Sequence, residues 1–279
     1  MMSKTTLLTG GAATEAIIRP GDRICLEGDN QKLNASAHPW LQRSRNGSSL
    51  RRPTDMTMLR RHDLLRAEPA AWQAMLRGHP SVADLPLVAD WARHGRPVIV
   101  RRRMAGDFSD SVPAALPLPP CYGKRRVAFS FPSGAAVIAL PPVSLCDAAR
   151  TAPAKWKPII SALLDLGETL KISPRVFGAL LWEHTTGLPY LHAQSDLDLI
   201  WSISDEQSAR LLVERLRRLD EESPVRLDGE LQLPDGAGVN CRELGQNNDD
   251  ERSQVLVKTM DGVEVRTKAG LFRTPSSQS

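Results

Sequence analysis

The seven-residue run from Ser195 to Trp201 constrains this chain more than any other stretch, because it places two carboxylates two positions apart in a β-like sequence. Side chains alternate between the faces of a strand, so Asp196 and Asp198 share one face and the apolar residues that alternate with them share the other. Two carboxylates this close repel each other unless a cation lies between them. A hard divalent ion with oxygen ligands, Mg²⁺ before others, is the expected occupant.

Composition places the chain among globular proteins of one large or two modest domains. It has 279 residues, 41% of them hydrophobic, and six Trp, which is enough to build cores. We find no apolar run of about 18 residues to span a membrane and no basic-then-apolar signal peptide, so we expect a cytoplasmic protein. The four cysteines, at positions 25, 121, 146 and 241, form no C-x-x-C pair and are expected to be free thiols in a reducing compartment.

Charge gives little reason to expect a nucleic-acid-binding protein. The net charge is +4, but residues 1–57 carry eight Lys and Arg against five Asp and Glu, which leaves about +1 for the rest. Local basic clusters occur at Arg60-Arg61, Arg101–Arg103 and Lys124–Arg126. We expect the Arg101–Arg103 cluster to lie in solvent or at an interface.

Turn-forming residues and linkers suggest how the chain is divided. Residues 1–57 are polar and turn-rich with little periodicity, and we predict a disordered leader or a mis-assigned start. An N-terminal domain at 58–142, a linker at 143–154, a second domain at 155–272 and a tail at 273–279 follow.

In the N-terminal domain the pattern predicts both helices and strands. We predict helical segments at Asp63–Arg66 and Ala70–Leu76, and a strand at Pro97–Arg102. The proline-rich segment Val112–Pro120 is predicted to be extended but not a central strand. A hairpin is predicted from Arg126–Phe131 and Ala136–Leu140.

In the second domain the acidic run follows two predicted helices. The first covers Lys155–Lys171, and the second opens at Ser173-Pro174 and ends before Gly187. A capping box of Ser204 and Gln207 starts an amphipathic helix. Strands are predicted at Val225–Leu233, Gln254–Lys258 and Val263–Val265, the last two joined by the hairpin signal Asp261-Gly262.

A second acidic strand adds to the first. Asp228 and Glu230 again share one face, so a third carboxylate from a neighbouring strand would complete a two-metal site. Phosphoryl transfer needs such a site, because one ion activates the attacking hydroxyl and both neutralise the leaving pyrophosphate. From the residues alone a second interpretation stays open, in which the paired aspartates lie on the solvated face of an edge strand.

Several separate motifs, in order, resemble the malonate decarboxylase holo-acyl-carrier-protein synthase family, also called phosphoribosyl-dephospho-CoA transferase. In the second domain they are Gly178-Ala179, Gly187–Leu191, Ser195–Leu199, Asp228–Leu231, Val239–Leu244 and Val255–Thr259. In the first they are His62–Leu65, Trp91, Gly95–Pro97, Leu116–Pro120 and Gly123–Arg126. The resemblance covers residues 58–272 and leaves the leader outside.

The resemblance implies an α+β protein in which a small N-terminal mixed domain precedes a nucleotidyltransferase-like domain of the polymerase-β type. Its members transfer a phosphoribosyl-dephospho-CoA group from the triphosphate precursor, triphosphoribosyl-dephospho-CoA, to a serine of the acyl-carrier subunit of malonate decarboxylase, and release pyrophosphate. By carry-over, Asp196 and Asp198 would bind Mg²⁺. Asp228 would be the third ligand, with Glu230 as the alternative.

One residue departs from the family pattern, which has Gly-Ser where this chain has Gly178-Ala179. The serine hydroxyl helps to hold a phosphate, and a hydrogen bond to a charged group is worth about 1.5–3 kcal/mol. We therefore expect reduced turnover, with backbone N–H groups and Ser195 reaching the phosphate instead. Further phosphate or carrier contacts are expected from Lys124, Arg125, Arg126 and Arg242.

Two other functions remain open at this stage. The chain could be another Mg²⁺-dependent nucleotidyltransferase that modifies a protein or a small molecule. It could also be an inactive relative that only binds the carrier protein. Neither nucleic acid nor a membrane is expected as a partner.

Overall fold

The structure is a computed structural model that describes residues 59–272, apart from positions 124, 133, 136, 141 and 246–251, and two short strands nearer the N-terminus. Those strands, β1 (Leu8–Thr9) and β2 (Leu26–Glu27), pair in parallel. The remainder of the leader predicted at 1–57 and the tail at 273–279 lie outside the described residues. The chain divides into two compact units, one of residues 1–50 with 118–125, and one of residues 51–117 with 126–279.

The larger unit begins with an antiparallel sheet of five strands. They are β3 (Leu64–Ala67), β4 (Val98–Val100), β5 (Val112–Pro117), β6 (Arg126–Phe131) and β7 (Val137–Leu140), in the order β6-β5-β4-β3-β7. Three short helices separate β3 from β4: α1 (Pro69–Leu76), α2 (Pro80–Ala83) and α3 (Pro86–Ala89). Each begins with proline, which favours the first helical position because its missing N–H has no partner there. The helix predicted at Ala70–Leu76 is thus confirmed.

Three predictions for this sheet are wrong. Asp63–Arg66 is not helical, because Leu64 and Leu65 belong to the interior strand β3, and short apolar runs fit either structure. Val112–Pro117 is an interior strand. Its prolines, Pro113 and Pro117, are tolerated there because β4 pairs with Ala114 and Ala115, and no proline N–H is needed for that pairing. The predicted hairpin does not form, since β6 and β7 lie at opposite edges of the sheet.

The same unit contains a mixed sheet of six strands, in the order β13-β12-β11-β10-β9-β8. The strands are β8 (Arg175–Val176), β9 (Leu197–Ser202), β10 (Leu227–Gln232), β11 (Gly238–Asn240), β12 (Gln254–Lys258) and β13 (Val263–Thr267). Among the described strands of this sheet, β9 and β10 pair in parallel and the other neighbours are antiparallel. The helices are α4 (Leu145–Ala148), α5 (Lys157–Leu170), α6 (Gly178–Thr186), α7 (Glu206–Glu222) and α8 (Cys241–Gly245). The predicted α+β class and the hairpin of β12 and β13 are confirmed.

Local signals explain where these helices begin and end. Helix α5 ends at Lys171, whose φ is +56°, close to the predicted end. Helix α6 begins at Gly178 rather than after Ser173-Pro174, because Arg175 and Val176 first pair with β9. The N-cap of α7 is Asp205, not Ser204.

The segment predicted as a linker, residues 143–154, contains helix α4. Its N-cap is Ser144, whose hydroxyl accepts the Asp147 N–H at 3.0 Å. Backbone hydrogen bonds from Leu145 to Pro174 and from Val176 to Val143 attach the segment to the start of β8. The residues that lead into the mixed sheet are therefore ordered against it.

Arg101 belongs to the core of the five-stranded sheet and not, as expected, to the solvent. Its guanidinium donates to both oxygens of Asp107 at 2.6 and 2.7 Å and to the carbonyl of Phe129. These hydrogen bonds hold the pKa of Asp107 well below its usual range, against the opposing effect of burial.

In the described part of the chain no helix is long and apolar enough to cross a membrane.

We expect Gly167→Ala to destabilise the protein, although an interior helical Gly→Ala change usually stabilises by about 1 kcal/mol. A Cβ at position 167 would lie 2.6 Å from the Ile172 carbonyl oxygen and 2.9 Å from Pro174 Cδ. Such overpacking should cost about 1–3 kcal/mol of unfolding free energy, measured by urea denaturation. Gly262→Ala is the control, because no atom lies within 4 Å of its Cβ. A gain for Gly167→Ala would contradict the packing at this helix.

Candidate active site

The three aspartates lie where the two parallel strands begin. Asp198 is the second residue of β9 and Asp228 the second of β10, and the two are paired in register. Asp196 comes immediately before β9, and its side chain is 34% exposed. The structure thus brings the two predicted acidic motifs to one end of one sheet.

Negative charge accumulates at Asp198. Burial first, and then the charges of Asp228 and Asp196, together raise the pKa of this carboxyl to about 7. The backbone N–H of Ala179 and the charge of Arg226 act in the opposite direction without offsetting the rise. A bound cation would relieve this repulsion, which is the electrostatic condition for a metal site.

The Gly178-Ala179 pair packs directly on Asp198. Gly178 has a φ of +63° and starts α6, and a Cβ there would lie 1.7 Å from Asp198 Oδ2. Only glycine fits such a position, because it needs both the left-handed conformation and the missing side chain. The Phe177 N–H donates to the Asp198 carbonyl at 3.1 Å. The backbone N–H of Ala179, at the start of this helix, is hydrogen-bonded to the Asp198 carboxylate. Helix N-termini favour anions such as phosphate.

Two polar neighbours of the aspartates were not assigned a role from the sequence. Asn240 Nδ2 donates to Asp228 Oδ1 at 3.1 Å and holds this carboxylate on the sheet. Arg226 is exposed, and its Nη1 lies 3.5 Å from Asp196 Oδ2. Asn240 belongs to the Val239–Leu244 motif, and the pairing of β11 with β10 places that motif beside the acidic strand.

The chemistry of this donor set fits Mg²⁺. It offers three carboxylates, the hard oxygen ligands that Mg²⁺ prefers. Among the described residues, no group of three or more His, Cys, Asp or Glu side chains is already arranged to hold a metal ion. Mg²⁺ binding by Asp196, Asp198 and Asp228 stays a prediction, in which the side chains would turn inwards around the ion.

Glu230, the alternative third ligand, is engaged elsewhere. Arg61 Nη1 and Nη2 donate to its two oxygens at 3.0 and 3.1 Å, and His62 and Lys258 lie within salt-bridge distance. Burial alone would raise the pKa of Glu230, but the hydrogen bonds and charges of His62 and Arg61 bring it down to about 2. These contacts favour Asp228 over Glu230 as the third ligand.

The side chains of the predicted phosphate-binding residues Ser195 and Arg242 are engaged with partners other than the three aspartates. Ser195 is buried in a turn, where its hydroxyl accepts the His192 N–H at 2.9 Å. Arg242 donates to Asp220 at 2.9 Å and to the Leu227 carbonyl at 2.8 Å. It lines a cavity of about 240 Å³ on the face of the sheet opposite the aspartates.

The basic cluster after β5 is only partly described. Lys124 is outside the described residues, and Arg125 belongs to the smaller unit. Arg126 starts β6, is exposed, and pairs with Pro117, whose carbonyl accepts the Tyr190 hydroxyl at 2.8 Å. Of the three residues, Arg126 is thus held near the loop that leads from α6 to Asp196.

Comparisons with known proteins agree with this arrangement. Residues 60–142 match the family described as phosphoribosyl-dephospho-CoA transferase MdcG N-terminal domain, and residues 144–269 match the corresponding C-terminal domain. A protein of Xanthomonas euvesicatoria pv. vesicatoria, named phosphoribosyl-dephospho-CoA transferase, is 36% identical over 221 residues, which are 79% of this chain and 100% of that protein. A protein of the same name from Bradyrhizobium diazoefficiens is 38% identical over 204 residues, 73% of this chain and 88% of that protein.

These matches define the chain first as a transferase of mixed α and β structure. More particularly, it belongs to the phosphoribosyl-dephospho-CoA transferase family, as its resemblance to that family predicted. No solved structure matches the chain significantly. The nucleotidyltransferase-like fold therefore stays a prediction.

Removing one buried charge should stabilise the protein in the absence of divalent ions. Because the pKa of Asp198 is raised to about 7 on folding, the stability linked to its proton is fully present below pH 4 and is lost as the pH rises through 7. We expect Asp198→Asn to raise Tm by at least about 3 °C at pH 8 and by less at pH 5. Asp165→Asn, an exposed change on α5, is the control. Equal shifts at the two pH values would contradict the proposed burial of charge.

Proposed function

We propose that this protein transfers the phosphoribosyl-dephospho-CoA group from triphosphoribosyl-dephospho-CoA to a serine of the acyl-carrier subunit of malonate decarboxylase, with release of pyrophosphate. One observation carries the proposal: Asp198 and Asp228 are in register on parallel strands, and Asp198 lies against the Gly178 turn at the start of α6. Carboxylates beside a helix N-terminus supply both parts that phosphoryl transfer needs, a metal-binding group and a phosphate-binding group.

Each residue has a distinct role in this proposal. Asp196, Asp198 and Asp228 would hold Mg²⁺, which when bound neutralises the triphosphate and promotes loss of the serine proton. Gly178 and Ala179 present the first N–H groups of α6 to a phosphate. Asn240 orients Asp228 through its 3.1 Å hydrogen bond. The attacking hydroxyl belongs to the carrier protein, so this chain has to position two substrates and does not supply a nucleophile.

The decisive measurement is pyrophosphate release from triphosphoribosyl-dephospho-CoA in the presence of the apo-carrier protein and Mg²⁺, with the mass gain of the carrier followed in parallel. We expect Asp196→Ala to lower turnover by at least about a hundredfold, because a lost metal ligand removes several kcal/mol of transition-state stabilisation. Asp165→Asn should leave turnover unchanged, because that residue is exposed on α5. A carrier whose acceptor serine is replaced by alanine should release no pyrophosphate.

Other outcomes would support the two other functions. Pyrophosphate release from an ordinary nucleoside triphosphate, without mass gain on the carrier, would indicate a different nucleotidyltransferase. Binding of the carrier without pyrophosphate release from any triphosphate would indicate an inactive relative. Either result would overturn the proposed reaction.

Restoring the family's serine should increase the rate. Ala179 contributes only its backbone N–H near Asp198, whereas a serine hydroxyl adds a donor to the phosphate. One such hydrogen bond is worth about 1.5–3 kcal/mol, so we expect Ala179→Ser to raise kcat by about tenfold. The comparison uses saturating substrates, with Ala179→Cys, similar in size but a weak donor, as the control. No increase for Ala179→Ser would show that other groups already hold this phosphate.

A further inference from the structure

We propose that Arg61 and His62, in the N-terminal half of the chain, are positioning residues that align the carboxylate strands and the Gly178 turn for transfer. The inference rests on the proposed function, because it concerns the same site. Both side chains contact Glu230, so we assign them a positioning role and not a place among the metal ligands. Their influence on the site passes through Glu230 and Phe177.

Arg61 fixes strand β10 two residues beyond Asp228. Its guanidinium forms a two-pronged hydrogen bond with both oxygens of Glu230, and Nη1 also donates to the Lys258 carbonyl at 3.3 Å. Both side chains are buried, with 11% of Arg61 and 8% of Glu230 exposed. A bidentate arginine–carboxylate pair fixes both the distance and the orientation of the carboxylate, whereas a lysine, with its single ammonium group, does not fix the orientation. Glu230 is thereby held in one place, and with it the strand that carries Asp228.

His62 contacts the other half of the site. Its ring lies 4.8 Å from the ring of Phe177, and its Nε2 lies 3.2 Å from Glu230 Oε1. Phe177 immediately precedes Gly178, and its N–H is bound to the Asp198 carbonyl. The side chain of His62 therefore packs on the residue that starts the phosphate-binding turn, while its ring nitrogen faces the strand of Asp228.

The backbone at His62 is held in an uncommon conformation. Its φ is +70°, a left-handed value that costs conformational energy for a residue with a side chain. Hydrogen bonds of the neighbouring backbone keep it there: the His62 N–H donates to the Val100 carbonyl at 3.0 Å, and the Val100 N–H donates to the Asp63 carbonyl at 2.8 Å. Strand β4 thus anchors the turn, and the turn carries the two side chains to the mixed sheet.

Together these contacts link the five-stranded sheet to both carboxylate strands. Arg61 acts on Asp228 through Glu230, and His62 acts on Asp198 through Phe177 and Gly178. A small displacement of either strand would change the distance between Asp198 and Asp228, and misplacements of about 1 Å cost up to about a hundredfold in rate. The N-terminal half is therefore expected to contribute to the rate constant and not only to stability.

The test compares two buried arginines that make the same kind of contact. Arg61→Lys removes the two-pronged bond to Glu230, and Arg101→Lys removes the equally buried bond to Asp107, with 12% and 9% exposed, in the other sheet. We expect both variants to lose a similar amount of Tm. Only Arg61→Lys should lower kcat, by about tenfold to a hundredfold, while Arg101→Lys stays within about twofold. Equal kcat values for the two variants at matched Tm would overturn the inference.

A second variant separates positioning from folding. His62→Gly removes the ring but suits a φ of +70°, so the protein should fold and keep a Tm near that of the wild type. We expect its kcat to fall by about tenfold or more. Unchanged kcat in His62→Gly would refute the role of the His62–Phe177 contact.

A binding measurement keeps this inference distinct from the proposed reaction. The rise in Tm caused by Mg²⁺ with triphosphoribosyl-dephospho-CoA should shrink in Arg61→Lys and persist in Arg101→Lys. If the wild type binds this precursor without transferring it, the proposed reaction fails while the comparison of Tm shifts still tests the positioning. If the wild type neither binds nor turns over the precursor, both proposals are overturned.

Discussion

Repulsion between carboxylates held in register is the constraint on which the site depends. The parallel pairing of β9 and β10 sets Asp198 opposite Asp228, and the Asp198 carboxylate packs against Gly178, where a Cβ would lie 1.7 Å from Oδ2. Backbone geometry therefore enforces a charge arrangement that is unfavourable by itself, as the raised pKa of Asp198 shows, with burial as its main cause. Folds retain such unfavourable arrangements mainly at functional sites, where a ligand compensates for them.

The parts of the fold that follow local rules were predictable from the sequence. Alternation placed Asp198 and Asp228 on strands and their apolar neighbours in the core, and Asp261-Gly262 marked the hairpin of β12 and β13. Glycine at position 187 marked the end of α6. In each case a single residue or a short period determines the structure, so that no distant contact is needed to predict it.

The failures in the five-stranded sheet share one physical cause, which is that strands distant in sequence determine the pairing. Leu64 and Leu65 are buried because their strand, β3, lies between β4 and β7. Strand β7 pairs with β3 and not with its neighbour in sequence, β6. The site shows the same limit. Arg61 and Glu230 are 169 positions apart, and only the tertiary fold brings them together. The sequence therefore identified the acidic residues, but it did not identify Arg61 and His62 as the residues that bind Glu230 and leave Asp228 as the candidate ligand.

These cations explain why the pKa values of two acidic residues on one face of the mixed sheet shift in opposite directions. Glu230 is bound by His62 and Arg61, whose hydrogen bonds and charges outweigh burial and lower the pKa of Glu230 to about 2, and Lys258 lies within salt-bridge distance of it. Asp198, one strand away, has two acidic neighbours and only the weak pull of Arg226 and one backbone N–H. On this face the protein neutralises the charge of Glu230 with its own cations, and it leaves the charge around Asp198 and Asp228 uncompensated. Since a buried, paired carboxylate gains little from a metal ion, the uncompensated half is the one with free energy available for binding Mg²⁺ and a triphosphate.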